Sequence, residues 1–224
     1  MEHCDGMKLI KSDMKLTQLW KNGPLWADRN LGAEEPEEPG LFFTWGSTTG
    51  LKMLNGVYPE SPFDDMDRKT LKDMGVIDGI HLSKKHDAAY CMLGESFRLP
   101  TGTELKYLIE KCDWKYVHSP DPEHISHYFV VTGKGEFSDN SIVLPLGEDF
   151  YSGGCDILYW SATSGTNAED ARALSPWWSA IHRPFSGNCS RNSLMMIRPV
   201  SNSPESADTD KALKKLGWRG KRTQ

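Results

Sequence analysis

Residues 100–112 read Pro100-Thr101-Gly102-Thr103-Glu104-Leu105-Lys106-Tyr107-Leu108-Ile109-Glu110-Lys111-Cys112, and residues 128–132 read Tyr128-Phe129-Val130-Val131-Thr132. The first stretch is a helix with its start written into it. Pro100 holds the backbone before it extended. The Thr101 hydroxyl is spaced to accept from the amide of Glu104, whose carboxylate can reach back, which is a Thr-x-x-Glu capping box. Leu105, Leu108, Ile109 and Cys112 then recur at i, i+3, i+4 and i+7, one apolar stripe suited to packing on something flat. By the second stretch the period has dropped from about 3.6 to about 2, the alternation of a strand.

Upstream, residues 84–93 place Ala88, Ala89, Met92 and Leu93 on one side of a second helix that Gly94 is placed to end. Residues 47–80 read as loop, with one short helical turn near 66–74. Residues 25–33 begin as a strand and turn at Gly32, and residues 41–46 return as a short aromatic strand. Between them, Glu34-Glu35-Pro36-Glu37-Glu38-Pro39-Gly40 reads as solvated, because four carboxylates are not buried unpaired. Downstream, strands are expected at 141–146 (with Pro145 near its end or at an edge), at 158–162 and at 194–200. Helices followed by several short antiparallel strands predict an α+β domain. Residues 163–192 show little periodicity and read as one long loop, which inside a compact domain points either to function or to elements that periodicity misses. The chain divides into a lead-in at 1–19, a domain at 20–200 and a tail at 201–224 that carries Lys211, Lys214, Lys215, Arg219, Lys221 and Arg222.

The 224 residues carry a formal net charge of −5, with no long basic stretch in the main body. No nucleic-acid partner is expected, since phosphate contacts need clustered positive charge. No stretch approaches the ~20 apolar residues of a spanning helix, so membrane insertion is not expected either. The first residues, Met1-Glu2-His3-Cys4-Asp5, lack the apolar core of a secretory signal, which leaves location open, a virion or cell surface reached by another route included. Five cysteines, at 4, 91, 112, 155 and 189, form no CxxC pair, and Cys91 and Cys112 read as buried free thiols. His118, His124 and His127 stand near Asp113, Asp121 and Glu123, but without a fourth ligand at fixed spacing they read as a polar surface loop rather than a zinc site. With no HExxH, nucleophile elbow or phosphate-binding glycine loop, neither catalytic centre, metal nor cofactor is expected.

An ordered set of short motifs runs through residues 20–200. It comprises Leu25-Trp26-Ala27-Asp28-Arg29-Asn30-Leu31-Gly32-Ala33, the Pro36-Glu37-Glu38-Pro39-Gly40 turn, Phe43-Thr44-Trp45-Gly46, and Asp87-Ala88-Ala89. Next come Gly94-Glu95-Ser96-Phe97-Arg98-Leu99-Pro100-Thr101, Cys112-Asp113-Trp114, Asn140-Ser141-Ile142-Val143-Leu144-Pro145, Tyr159-Trp160-Ser161 and Ile197-Arg198-Pro199-Val200. In this order they resemble the major paralogous domain family first noted in Fibrobacter succinogenes, found in gut Bacteroidetes and their phages. The resemblance implies a C-type-lectin-like fold of the formylglycine-generating-enzyme branch, with two helices flanking a small, mainly antiparallel sheet and long irregular loops for binding. Within that motif set Arg98 reads as structural, an ion-pair anchor beside the helix start. The calcium motifs of sugar-binding lectins, Glu-Pro-Asn or Gln-Pro-Asp with a later Trp-Asn-Asp, do not occur.

In that fold, diversity-generating retroelements vary surface residues just before the last strand. Here that place holds an aperiodic mixture of aromatic, small and polar residues. Trp177, Trp178, Ser179, His182, Arg183, Phe185, Asn188, Arg191 and Asn192 are the candidate ligand-binding residues. Rigid aromatic rings give contact area at little entropic cost, and the arginines and asparagines supply orienting hydrogen bonds. Each indole has an alternative place as a plug in the core beneath the loop. The expected function is ligand display by a retroelement-diversified receptor or phage tip protein, with a cell-surface protein or glycan as partner. The alternative is a carbohydrate-binding or adhesion component of a bacterial envelope. Oligomeric state stays open.

Overall fold

The computed structural model describes residues 14–52, 60–118, 127–146, 159–178 and 183–202, with backbone alone at 118, 176–178 and 183. The elements run β1 (Leu16–Gln18), β2 (Leu25–Ala27), β3 (Phe42–Phe43), α1 (Arg68–Asp73), β4 (Ile77–Asp78), β5 (His81–Leu82) and α2 (Ala88–Leu93). They continue with β6 (Phe97–Arg98), α3 (Gly102–Lys111), β7 (Asp113–His118), β8 (His127–Thr132) and β9 (Ser141–Pro145). The chain closes with β10 (Tyr159–Ser164), β11 (Asp170–Trp178), β12 (Arg183–Ser190), β13 (Met195–Met196) and β14 (Val200–Ser201). The class is α+β. Residues 1–13, Cys155 and the basic tail lie outside the described residues.

The expected C-type-lectin-like arrangement, two helices flanking a small, mainly antiparallel sheet with long irregular loops, is not what the chain forms. Three α-helices are present among the described residues. The largest sheet has seven strands, in the order β12-β11-β10-β13-β3, with β5 on the far end of β10 and β4 on β5. Its topology is mixed, because β10 runs parallel to β13 through Tyr159 and Met196 and antiparallel to β11 and β5. The segment expected as one long loop at 163–192 is mostly sheet. β11 and β12 pair antiparallel from Asp170 with Ser190 to Trp178 with Arg183. A second sheet, β1-β2-β14-β6, ties the start of the described chain to its end, and β7-β8-β9 form an antiparallel meander.

The sheet is covered on both faces at β10 and at residues 173–175 of β11, which is one reason this region hid from a periodicity argument. All six residues of β10 are buried. Tyr159 and its partner Leu174 point into a core built with Leu105, Leu108, Phe129 and Met196. Trp160 and its partner Ala173 point the other way, into a core with Phe43, Trp45, Leu71, Leu93 and Met195. Adjacent residues therefore serve different cores, and an apolar-polar alternation has nothing to mark. The two cores are stitched through the sheet by tryptophans. Trp45 Nε1 donates to Ser161 O at 3.0 Å, and Trp160 Nε1 donates to Phe43 O at 2.8 Å.

The three sheets meet at one buried polar knot. Arg198, only 1% exposed, lies just before β14. Its Nε donates to Asn30 Oδ1 at 2.9 Å, Nη1 to Ala27 O at 3.0 Å, and Nη2 to Val143 O in β9. The Asn30 amide in turn donates to Pro39 O at 3.1 Å and stands 3.5 Å from the hydroxyl of Tyr159, which donates to Pro145 O at 2.7 Å. Burial lowers the Arg198 guanidinium to about 10 and raises the Tyr159 phenol to about 12. A fully buried cation satisfied by neutral acceptors leaves those acceptors stranded when it is removed. Arg198→Ala is expected to lower the unfolding free energy by about 3 kcal/mol or more in urea titration. A loss below about 1 kcal/mol would show that water replaces the guanidinium without cost.

Candidate functional site

The β11–β12 ribbon carries most of the candidate residues, and its base is held by the turn that follows it. Arg191 is 0% exposed. Its Nε donates to Asp170 O at 3.0 Å, and Nη1 donates to both Phe63 O and Met66 O at 2.8 Å. The guanidinium lies 4.9 Å from the Trp45 ring centroid, a cation–π contact that faces a group otherwise without an acceptor at Nη2 among the described residues. Burial pulls its pKa below the usual arginine value, against the opposing charges of Asp64 and Asp170. Asn192 completes the clamp. Its Oδ1 accepts from Ser61 N at 2.6 Å and its amide donates to Asp64 Oδ2 at 2.5 Å.

Along the ribbon, register assigns each residue a face. Ala171, Ala173 and Gly187 lie on the Trp160 side, and Arg172, Leu174, Ser186 and Asn188 on the side toward α3. Gly187 is required there. A Cβ at this position would stand 2.3 Å from Cε1 of Phe185, whose half-buried ring lies over the glycine. Asn188 is exposed and donates to Thr166 Oγ1 at 3.2 Å. The register shifts between Ser175 and Trp178, where the ribbon bulges before it reaches its end.

The candidates thus separate by position. Arg191 and Asn192 are brought to the base, where their side chains are used up in holding it. Phe185 and Asn188 lie along β12. Trp177, Trp178 and Arg183 are placed by backbone at the far end, and Ser179 and His182 lie outside the described residues. Among the framework tryptophans, Trp20, Trp26, Trp45 and Trp160 are buried and Trp114 is half-buried.

A second concave feature was not signalled by any spacing. A cleft of about 530 Å³ opens beside α2 and β6, with His81, Tyr90, Ser96, Phe97 and Asn202 among its lining residues. Its walls are rigid. Thr101 and Glu104 form both halves of the capping box. Glu104 also takes a two-point ion pair from Arg98, at 2.6 and 2.8 Å, so the expected Arg98 anchor is present. Asp87 caps α2 through Tyr90 N at 3.0 Å and accepts from Leu99 N at 2.9 Å. Burial raises the Asp87 carboxyl above its ordinary value despite those amides. For Glu104, burial also pushes upward, but the Arg98 hydrogen bonds and charge with the Thr101 donors outweigh it and leave the group lowered. Only Gly94 and the Thr-x-x-Glu pattern hinted at this region, because its lining comes from segments far apart in the chain.

Among the described residues no helix is long and apolar enough to cross a membrane, and no cluster of three His, Cys, Asp or Glu is placed to hold a metal ion. His127 Nδ1 lies 2.6 Å from the Tyr116 hydroxyl, and His124 lies outside the described residues. Cys112 is a buried free thiol that burial raises to about 12. In comparisons with known proteins, no family model, curated protein or solved structure matches the chain.

Two outcomes follow from this geometry. Lysine carries its donors on a single nitrogen and cannot span Asp170 O and the Phe63 and Met66 carbonyls as Nε and Nη1 of the guanidinium do, so Arg191→Lys is expected to lower stability by about 2 kcal/mol. Amide exchange should rise first in residues 170–173, and uniform exchange across the sheet would rule out a local clamp. Glu104 has a folded-state pKa below its unfolded value, so its contribution is present above the unfolded value and lost as pH falls through the folded one. The stability lead of the native chain over Glu104→Gln should be full at neutral pH and close in acid. A pH-independent lead contradicts the ion pair as its source.

Proposed function

We propose that the chain is a ligand-binding display protein whose working surface is the far end of the β11–β12 ribbon. The observation that carries this reading is the residue content of that end, where β11 runs to Trp178 and β12 begins at Arg183 in an antiparallel pair with a bulge between Ser175 and Trp178. From Leu174 to Trp178 the ribbon spans roughly 13 Å of strand. The end so presented carries Trp177, Trp178, Arg183 and Phe185, with Ser179 and His182 in the four residues that join the strands. Trp and Arg are the residue types that concentrate binding energy at interfaces. The partner class this surface suits is a protein or glycan of a cell surface.

This reading draws on the ribbon and not on the lectin-like arrangement. Its finer form is a retroelement-diversified receptor or phage tip protein, in which the end of the ribbon varies over a fixed base. The division of labour supports that form, since the base is held by Arg191 and Asn192 through framework carbonyls, an amide and Asp64.

The test replaces Trp177 and Trp178 by serine in the full chain and measures capture on a glycan array and on intact bacterial cells. Binding is expected to fall by roughly tenfold or more, with the thermal midpoint moved by no more than about 2 °C. Undiminished capture by the double variant removes the ribbon end from the function. For the finer form, sequencing the locus across a population should find substitutions concentrated at 163–192, and an invariant segment excludes diversification.

A further inference from the structure

We propose that the cleft beside α2 and β6 is a second binding site, for an uncharged, hydroxyl-rich small molecule of one or two sugar-sized rings. Its volume of about 530 Å³ lies within the range of ligand pockets, ~300–1,000 Å³. The chemistry of the lining then narrows the class.

The charges there are already spent. Arg98 gives its donors to Glu104, Leu99 O and Asn202 Oδ1, at 2.6 to 3.0 Å. Asp87 is 4% exposed and takes two backbone amides. At the exposed rim Lys84 and Glu95 have opposite signs, and the Lys84 ammonium sits over the Tyr90 ring, 5.2 Å from its centroid. Burial holds His81 below its ordinary pKa, so near neutral pH it is an uncharged imidazole. An anionic or cationic ligand would give up its hydration and find no unpaired counter-charge inside.

Uncharged groups remain to receive a ligand. Tyr90 and Phe97 are half-buried rings beside buried Leu82, Leu99 and Ala162, which together offer an apolar surface for C–H faces. Ser96 brings a hydroxyl, and His81 brings a ring nitrogen besides the Nδ1 that stands 2.9 Å from Thr163 Oγ1. A polyol presents this same alternation of C–H and O–H. The walls are also set in advance. Gly102 N donates to Thr163 Oγ1 at 2.9 Å and Ala162 N donates to Pro100 O at 2.8 Å, so α3 and β10 meet the cleft in fixed positions and little ordering is left for binding to impose. The site is separate from the ribbon end. Ala171 pairs with Ser164 next to the cleft, and Trp178 lies seven residues further along β11, roughly 23 Å at strand spacing.

Saturation-transfer NMR of the full chain tests this with glucose, galactose, N-acetylglucosamine and ribose as probes, and with glucuronate and glucosamine as charged counterparts. At least one neutral probe is expected to give saturable binding. Ser96→Trp, a change at an exposed position that fills the cleft, should weaken it by roughly tenfold or more while the thermal midpoint moves by no more than about 2 °C. Trp178→Ser should leave it unchanged. The proposal is overturned if no neutral probe binds, if a charged counterpart binds tighter than glucose, or if Ser96→Trp has no effect. Sensitivity to Trp178→Ser instead of Ser96→Trp would move the sugar to the ribbon end and refute the cleft.

Discussion

One buried guanidinium holds the three described sheets of this protein together. Arg198 reaches Ala27 at the end of β2, Asn30 in the following turn and Val143 in β9, while Tyr159 of β10 joins through Asn30 and Pro145. Neutral acceptors at fixed positions solvate the ion in place of water, and they come from two distant parts of the chain, 27–30 and 143. The arrangement has a directional quality that apolar packing lacks. Leucines tolerate sliding, whereas a planar donor fork with assigned partners does not. The segment at 198–201, which supplies Arg198 and β14, must therefore arrive in one register against β2 for the knot to close.

From that junction the central sheet acquires two covered faces. Tyr159, Leu174 and Met196 serve the core under α3, and Trp160, Ala173 and Met195 serve the core under α1 and α2. Packing a sheet on both sides favours small residues where helices come close. Gly102 lies so near Arg172 that a Cβ would stand 3.2 Å from Arg172 Cβ. The same double coverage makes β10 a rigid support for the ribbon. A binding end carried on such a support loses little conformational freedom on contact, which favours affinity from few residues.

In the proposed reading the ribbon and the cleft serve two kinds of recognition. The ribbon end carries large aromatic residues and an arginine, residue types suited to a broad partner. In the cleft, a charge-balanced lining with two rings suits a small one. They draw on different anchors, Arg191 and Asn192 for the ribbon and the Arg98–Glu104 pair with Asp87 for the cleft. Loss of one anchor is local in its first effect.

Local structure was legible wherever a residue's neighbours in sequence are its partners in space. The capping box of α3, its apolar stripe and the helix expected at 84–93 and ended by Gly94 rest on contacts within a few residues, and β8 and β9 showed in their own alternation, whereas β7 did not show. The α+β class follows from them. The lectin-like arrangement did not survive, because β10 with β13 and β2 with β14 are pairings between distant segments of two to six residues, too short to carry a pattern. Residues 163–192 looked like loop because consecutive residues are buried at 163–164 and 173–175, while β12 is a mixture of small and polar residues, so no apolar-polar alternation runs through the segment. Arg191 and Asn192 looked like ligand contacts because an arginine or asparagine in an aperiodic segment reads as polar surface, and burial that recruits backbone carbonyls leaves no mark on composition. The sequence by itself determined the helices, their caps and the aromatic richness of the ribbon. Which residues face a partner and which hold the fold was decided only in the tertiary structure, since burial and hydrogen-bond satisfaction belong to pairs of distant groups rather than to residues.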